Sequence, residues 1–384
     1  MFKIHNKVLL LLVILLVAAL MFLPIINYAP NRLVSGESLG IGKIPGSSLP
    51  WLVLCLGLLA GLSLLPNRRL NHIATLLLSQ GLFIGLLILM GYCAANFAGQ
   101  GSPLARTSPG SGLWLMFALC LLLCADVINR LTQSVFWRLV LNVQVWIIPV
   151  ILLLWGEFDS LSLMKEYVNR QEIFDDAFSR HFALLLGTLL PGLLIGIPLG
   201  TLCHRRTAYQ ATIFSVLNVI QTVPSVALFG LLIVPLSGLV AWFPALGSLG
   251  ISGIGVAPAL IALVLYALLP IVRGVVSGLG QIPRNIYESA EGMGMSSAQI
   301  FWRAEVPLAL PVLLRSVRVV SIQTIGMAVI AALIGAGGFG TIIFQGLLSS
   351  ALDLVLLGVV PTIAMAVIID ALFKLLISFL EVKK

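Results

Sequence analysis

Long apolar segments recur along the whole chain, and they constrain its fold more than any other feature. A hydrocarbon layer about 30 Å thick needs roughly 20 apolar residues in one helix to cross it. Ten segments approach or exceed that length, at residues 8–28, 51–65, 73–98, 113–127, 139–155, 182–202, 212–236, 257–279, 312–334 and 354–380. The sequence therefore predicts an all-α, polytopic membrane protein with about ten transmembrane helices.

The composition excludes a water-soluble fold. Of the 384 residues, 60% are hydrophobic and 9% are charged, whereas a soluble domain carries about 25% charged residues. The net charge of +8 is compatible with a nucleic-acid partner, but the basic residues lie at the ends of apolar segments, as membrane topology requires. We therefore expect a lipid bilayer as partner and no nucleic acid.

The basic residues also predict the orientation of the chain. Lys3 and Lys7 before the first apolar run would fit a signal peptide, but the run is long for a signal core, so we favour a retained helix. With the N-terminus in the cytoplasm, sixteen of the 22 Lys and Arg residues fall in inner segments and six in outer ones. This excess obeys the positive-inside rule. Both termini are thus expected in the cytoplasm, with residues 156–181 outside and residues 280–311 inside.

The outer connection at residues 156–181 divides the chain. Its sequence LSLMKEYVNRQEIFDDAFSRH is typical of an external amphipathic helix. Residues 1–155 hold five apolar segments, and residues 182–384 hold the other five. Prolines interrupt the second group, where neighbouring helices or a water-lined path could satisfy the freed backbone groups. Any solute pathway is therefore predicted in the second half.

Motifs for catalysis, metal binding and ion coupling are missing from the sequence. None of the five cysteines forms a C-x-x-C pair or a Cys/His cluster with metal-ligand spacing. The sequence GAGGFG at residues 335–340 matches the G-x-G-x-x-G pattern of dinucleotide-binding sites. That pattern requires a preceding strand and a following helix, whereas GAGGFG lies at the end of a predicted transmembrane segment. An ion-driven carrier needs ionisable groups deep in the bilayer, but the candidates lie near helix ends: Asp126, Asp353, Asp370 and Lys374. We predict neither an enzyme nor a metal site.

One long polar connection, residues 280–311, differs from the apolar sequence around it. Pro283 suits the first turn of a helix, and Gly294 suits the position just past a helix end, where positive φ is common. The apolar face of this predicted helix consists of Ile286, Ala290 and Met293. The connection is therefore expected to begin with a short amphipathic helix.

A second short helix is predicted to follow. Ser296 and Gln299 form a capping-box pattern, and Pro307 and Pro311 are expected to turn the chain back to the membrane. A helix lying on a lipid surface is normally rich in Lys and Arg, but residues 285–302 contain neither. We therefore expect this helical hairpin to dock on a protein partner.

The hairpin resembles the EAA loop of binding-protein-dependent ABC importer permeases, with the pattern E-A-A, three residues, G, nine residues, I-x-L-P. Residues 288–290 are E-S-A, residue 294 is glycine, and residues 304–307 are A-E-V-P. Serine, alanine and valine replace the first alanine, the isoleucine and the leucine of the pattern. The stretches VIQTVPSVALFGLL and GMAVIAALIGAGGFG resemble the glycine betaine, choline and proline branch of this family. The full-length pattern resembles the YehY-type permeases of that branch.

The resemblance implies a MetI-like permease core of five to six helices at residues 182–384 and an accessory membrane region at residues 1–155. It implies two ATP-binding subunits that bind ATP and Mg²⁺, a second permease subunit, identical or related, and a periplasmic substrate-binding protein. The chain itself would bind no cofactor. The implied location is the bacterial inner membrane, and the implied solute is glycine betaine or a related quaternary amine. The implied ATPase-coupling residues are Glu288, Ser289, Ala290, Gly294, Phe301 and Pro307.

The solute pathway is predicted from polar and proline residues in the seventh and ninth segments: Gln221, Thr222, Pro224, Ser225, Gln323 and Thr324. A quaternary ammonium group is usually held by an aromatic cage. The sequence shows no dense cage, so we expect the affinity to reside in the binding protein. Three alternatives stay open: the same importer for choline, proline or an amino acid, an ion-coupled secondary transporter, and a membrane-anchored scaffold or sensor.

Overall fold

The computed structural model describes residues 4–31, 36–44, 49–100, 105–248 and 250–382. The chain forms two compact units, Met1–Asn169 and Arg170–Lys384, called unit 1 and unit 2. Four of the basic residues counted for orientation lie outside the described residues, namely Lys3, Arg32, Lys383 and Lys384. Both units consist mainly of apolar helices, which confirms the predicted fold class.

Unit 1 is a helical bundle with a small sheet. Its helices are α1 (Lys7–Phe22), α2 (Leu49–Leu64), α3 (Arg69–Gln100), α4 (Ser111–Leu131), α5 (Val135–Gln144), α6 (Ile147–Leu154) and α7 (Ser162–Asn169). α1 packs against α2 and α4, and α3 packs against the same two helices. Their leucine-rich sequences favour helix and supply a core in which Leu16, Leu59 and Leu86 are fully buried.

The first predicted segment, residues 8–28, is not helical to its end. Leu23 is extended, with φ −111° and ψ 150°, because a residue that precedes a proline is forced out of the helical region. The chain then enters an antiparallel sheet of order β2-β1-β3, which the sequence analysis missed. Its strands are β1 (Ile26–Ala29), β2 (Glu37–Leu39) and β3 (Arg106–Pro109).

Unit 2 is arranged around one central helix, α12, which packs against four others: α8, α9, α10 and α15. The helices of unit 2 are α8 (Gln171–Arg205), α9 (Thr207–Thr222), α10 (Ser225–Trp242), α11 (Ala245–Ser248), α12 (Val256–Gly280), α13 (Arg284–Gly292), α14 (Ser297–Ile300), α15 (Val306–Ala331), α16 (Phe339–Leu348) and α17 (Leu352–Val382). The pathway and hairpin residues predicted from sequence all lie in this unit.

Glycines bring α8 close to α12. A Cβ atom at Gly196 would lie 2.7 Å from the Ile271 side chain, and one at Gly200 would lie 2.6 Å from Val275. Small residues four apart are the usual means by which transmembrane helices approach each other closely. The seam between α8 and α12 is therefore tightly packed, and a larger side chain at either glycine would force the two helices apart.

Eight helical spans of the described residues, with α5 and α6 counted together as one, are long and apolar enough to cross a membrane, and three shorter apolar helices accompany them. This agrees with about ten transmembrane helices. The fifth predicted segment is split into α5 and α6, and the seventh into α9 and α10. Residues 161–181 form α7 and the first turns of the 35-residue helix α8. The short helix α16 was not among the predicted segments.

Candidate functional site

The first helix of the hairpin ends in a glycine turn, as the sequence predicted. Gly294 has a φ of +75°, which any residue with a Cβ adopts only with strain. Its N–H bonds the Glu291 carbonyl at 2.8 Å, and the Met295 N–H bonds the Ala290 carbonyl at 3.1 Å. This pair of bonds is the Schellman arrangement, and it reverses the chain between α13 and α14.

The second helix begins as predicted but does not turn back at the prolines. Ser296 makes both hydrogen bonds of the capping box, and the chain then continues through a π-helix at Phe301–Glu305 directly into α15. Pro307 has no N–H, and in a regular α-helix its ring would meet the carbonyl of residue 303. The π turn, in which the Val306 N–H bonds a carbonyl five residues back, accommodates the proline without ending the helix.

A cluster of four side chains ties the hairpin to the end of α8. The Arg205 guanidinium lies 3.9 Å from the Glu305 carboxylate, and its carbon lies 5.1 Å from the centre of the Phe301 ring. The Tyr287 hydroxyl is hydrogen bonded to Glu305. Burial raises the pKa of Tyr287, and the Glu305 carboxylate raises it further, so the hydroxyl remains a donor. One carboxylate thus joins α13, the π turn and α8.

The outer surface of the hairpin combines acidic and apolar groups. Ala290 and Ile300 are buried, while Glu288 is exposed beside Ser289. Met293 was predicted on the apolar face with Ile286 and Ala290, but it lies beyond the end of α13 and is 74% exposed. Trp302 is 68% exposed, and Pro307 is also exposed. Large apolar side chains beside carboxylates are typical of a surface that docks another protein.

Four of the predicted pathway residues meet at a break in the seventh segment. α9 ends at Thr222, and α10 starts after Pro224 with Ser225. The Tyr266 hydroxyl donates to the Val223 carbonyl at this break, and the Gln221 amide donates to the Tyr266 carbonyl at 2.9 Å. Tyr266 therefore satisfies a carbonyl that the broken helix leaves free, as irregular backbone at membrane depth requires.

The other two predicted pathway residues lie on α15. Thr324 is buried, and the Gln323 amide contacts the Met327 sulfur at 3.6 Å. Among the described residues, no hydrogen bond joins these two side chains to the four at the helix break. Tyr266 and Arg205 were not predicted from the sequence, since a single tyrosine in the middle of an apolar segment, or a single arginine at the end of one, forms no motif.

Two family models match the chain. Residues 5–164 match the N-terminal domain of the ABC transporter permease YehY. Residues 192–382 match the binding-protein-dependent transport system inner membrane component. The second match includes the hairpin, the helix break and α12, while the first falls within unit 1.

Curated relatives are about one third identical to this chain over the aligned residues. The choline transport system permease protein OpuBB of Bacillus subtilis is 35% identical over 190 residues, which are 50% of this chain and 80% of that protein. The carnitine transport permease protein OpuCB of Listeria monocytogenes is 34% identical, over 51% of this chain and 83% of that protein. The osmoprotectant import permease protein OsmW of Salmonella typhimurium is 36% identical, over 46% and 78%.

The chain therefore belongs to the family of binding-protein-dependent transport system inner membrane components. It is a multi-pass permease subunit of an ABC importer of the inner membrane, and the subunits of this type are not themselves enzymes. Inward facing conformations of the MetNI methionine ABC transporter are also similar, with a TM-score of 0.49 and 21% identity over 55% of this chain and 97% of that chain.

Proposed function

We propose that this chain is the transmembrane permease subunit of an ATP-driven importer for glycine betaine or a related quaternary-amine osmoprotectant. The observation that carries the proposal is its identity of 34–36% with permeases named for choline, carnitine and osmoprotectant transport. Choline and carnitine both carry a trimethylammonium group. The alternative is the same type of importer for another small solute, such as proline or an amino acid. The uptake test below distinguishes this alternative from a quaternary-amine importer.

The hairpin is the proposed contact with the ATPase. Its exposed carboxylate at Glu288 and its exposed apolar side chains, Met293 and Trp302, would dock in a groove of a cytosolic ATP-binding subunit. Two such subunits would bind ATP and Mg²⁺. A second permease subunit, identical or related, would complete the pathway. A periplasmic binding protein would deliver the solute. Ser289, Ala290, Gly294, Phe301 and Pro307 shape this contact. The proposed pathway residues remain Gln221, Thr222, Pro224, Ser225, Gln323 and Thr324.

An uptake assay tests the solute. In a strain without other osmolyte uptake systems, the complete importer should accumulate labelled glycine betaine, choline or carnitine, and excess unlabelled quaternary amine should suppress that uptake. Omitting the ATPase should abolish it, because ATP hydrolysis in that subunit would drive the transport. Uptake of proline or an amino acid alone would favour the alternative solute, and uptake without the ATPase would contradict the ABC mechanism.

Unit 1 is proposed to be an accessory membrane region, and unit 2 is proposed to contain the permease core. The predicted division places the accessory region at residues 1–155 and the core at residues 182–384, with the connection at residues 156–181 between them. In support, the hairpin, the helix break and the importer family match at residues 192–382 all lie in unit 2. A chain that begins at Arg170 behind a new start signal should still retain the ATPase during purification from membranes. A truncated chain that inserts stably but loses the ATPase would contradict an accessory role, with the full-length chain as control.

Both termini and the hairpin are proposed to lie in the cytoplasm, with residues 156–181 outside. In a cysteine-free background, Asp175→Cys in α8 should react with a membrane-impermeant maleimide in intact cells. Ser289→Cys should react only after the membrane is permeabilised. Both positions are exposed, so access to the reagent depends on the side of the membrane. Labelling of Ser289→Cys in intact cells would reverse the proposed orientation.

A further inference from the structure

A cleft of about 370 Å³ opens beside the helix break, between α12 and α15. This volume lies within the range of about 300–1,000 Å³ that is usual for small-molecule sites. Its polar lining consists of Gln221, Arg273, Ser277, Arg315 and Ser316. A second cleft of about 210 Å³ shares Arg315 with the first and reaches Pro283 at the start of the hairpin. The two clefts line one side of unit 2 from the helix break to the hairpin.

The arginines of this region differ in how their charge is compensated. Arg315 pairs with Glu381, and Arg318 on the same helix pairs with Asp370 at 2.6 Å. Arg273 donates to the amide oxygen of Asn218 at 2.7 Å and has no carboxylate partner among the described residues. A cation in a membrane-spanning helix usually has a counter-ion or marks a substrate path. The larger cleft therefore carries one uncompensated positive charge.

The backbone beside Arg273 is held in a fixed place. A Cβ atom at Gly274 would lie 2.2 Å from the Ser316 hydroxyl, so α12 and α15 are in direct contact at this level. Arg273 is seven residues before the last residue of α12, which is about 10 Å along a helix. Its side chain is exposed to the cleft and is not packed into the core. The guanidinium can therefore meet a solute while its helix stays in position.

We propose that Arg273 receives the carboxylate of a zwitterionic solute on the hairpin side of the helix break. This inference rests on the proposed function and names the part of the solute that this cleft recognises. A guanidinium offers a planar fork of donors that matches a carboxylate, and only one donor is occupied by Asn218. Glycine betaine and carnitine carry such a carboxylate. Choline has a hydroxyl in its place and is a net cation, so Arg273 offers it no attraction.

The test compares two solutes in one set of variants. Arg273→Gln should lower glycine betaine uptake at least about tenfold, the effect of losing one charge-assisted hydrogen bond, and leave choline uptake unchanged or raised. Arg273→Lys keeps the charge without the fork and should retain more glycine betaine uptake than Arg273→Gln. Arg69→Gln, which removes an exposed positive charge of unit 1, is the control and should leave both solutes unaffected. Purified complexes should contain normal amounts of ATPase throughout.

Several outcomes would overturn the proposal while leaving the importer function intact. Equal loss of both solutes in Arg273→Gln would mean that the arginine binds a lipid phosphate or supports the fold. Normal glycine betaine uptake in that variant would mean that no carboxylate is bound there. If the wild-type importer carries glycine betaine but not choline, the Lys and Gln variants are compared with glycine betaine alone. Equal uptake of glycine betaine by Arg273→Lys and Arg273→Gln would then show that the positive charge at residue 273 is not required. Wild-type import of choline alone would contradict a carboxylate site, and no uptake of either solute would instead contradict the proposed function.

Discussion

Backbone N–H and C=O groups inside a bilayer have no water to bond, so every interruption of a helix must be satisfied within the protein. Unit 2 contains one such interruption between α9 and α10, and a second irregular turn where the hairpin joins α15. At the break between α9 and α10, the Tyr266 hydroxyl bonds the Val223 carbonyl. Before α15, the π turn at Phe301–Glu305 accommodates Pro307. The helix break borders the cleft between α12 and α15, and the π turn connects the hairpin to α15.

These connections explain how force applied to a small hairpin could reach the pathway. The second hairpin helix and α15 form one continuous helix, Ser297–Ile334, so that a displacement of the hairpin would be transmitted along α15. The Arg205 cluster links the same hairpin to α8, and both α8 and α15 pack against α12. Because α12 carries Tyr266 and Arg273, movement of the hairpin would alter the helix break and the cleft together.

The sequence predicts the parts of this structure that follow local rules. Apolar segment length predicts the helices, the Ser296–Gln299 spacing predicts the capping box, and glycine after a helix predicts the turn at Gly294. The sequence does not predict the parts of the structure that depend on contacts between distant residues. The strands β1 to β3 are three or four residues long, and β3 exists because it pairs with β1 from the far end of α3. Arg205 and Tyr266 have their roles only because the fold places Glu305 and Val223 beside them.

The central claim, that the hairpin couples the ATPase to the membrane helices, is tested most directly at Gly294. Gly294 and Gly292 both have open space for a Cβ atom, but only Gly294 has positive φ, so valine at 294 is strained by about 1–2 kcal/mol and valine at 292 is not. ATP hydrolysis should be measured in reconstituted importers with and without loaded binding protein. The account predicts that Gly294→Val inserts and assembles but loses stimulation and uptake, while Gly292→Val retains both. Normal stimulation and uptake in an inserted Gly294→Val importer would contradict it.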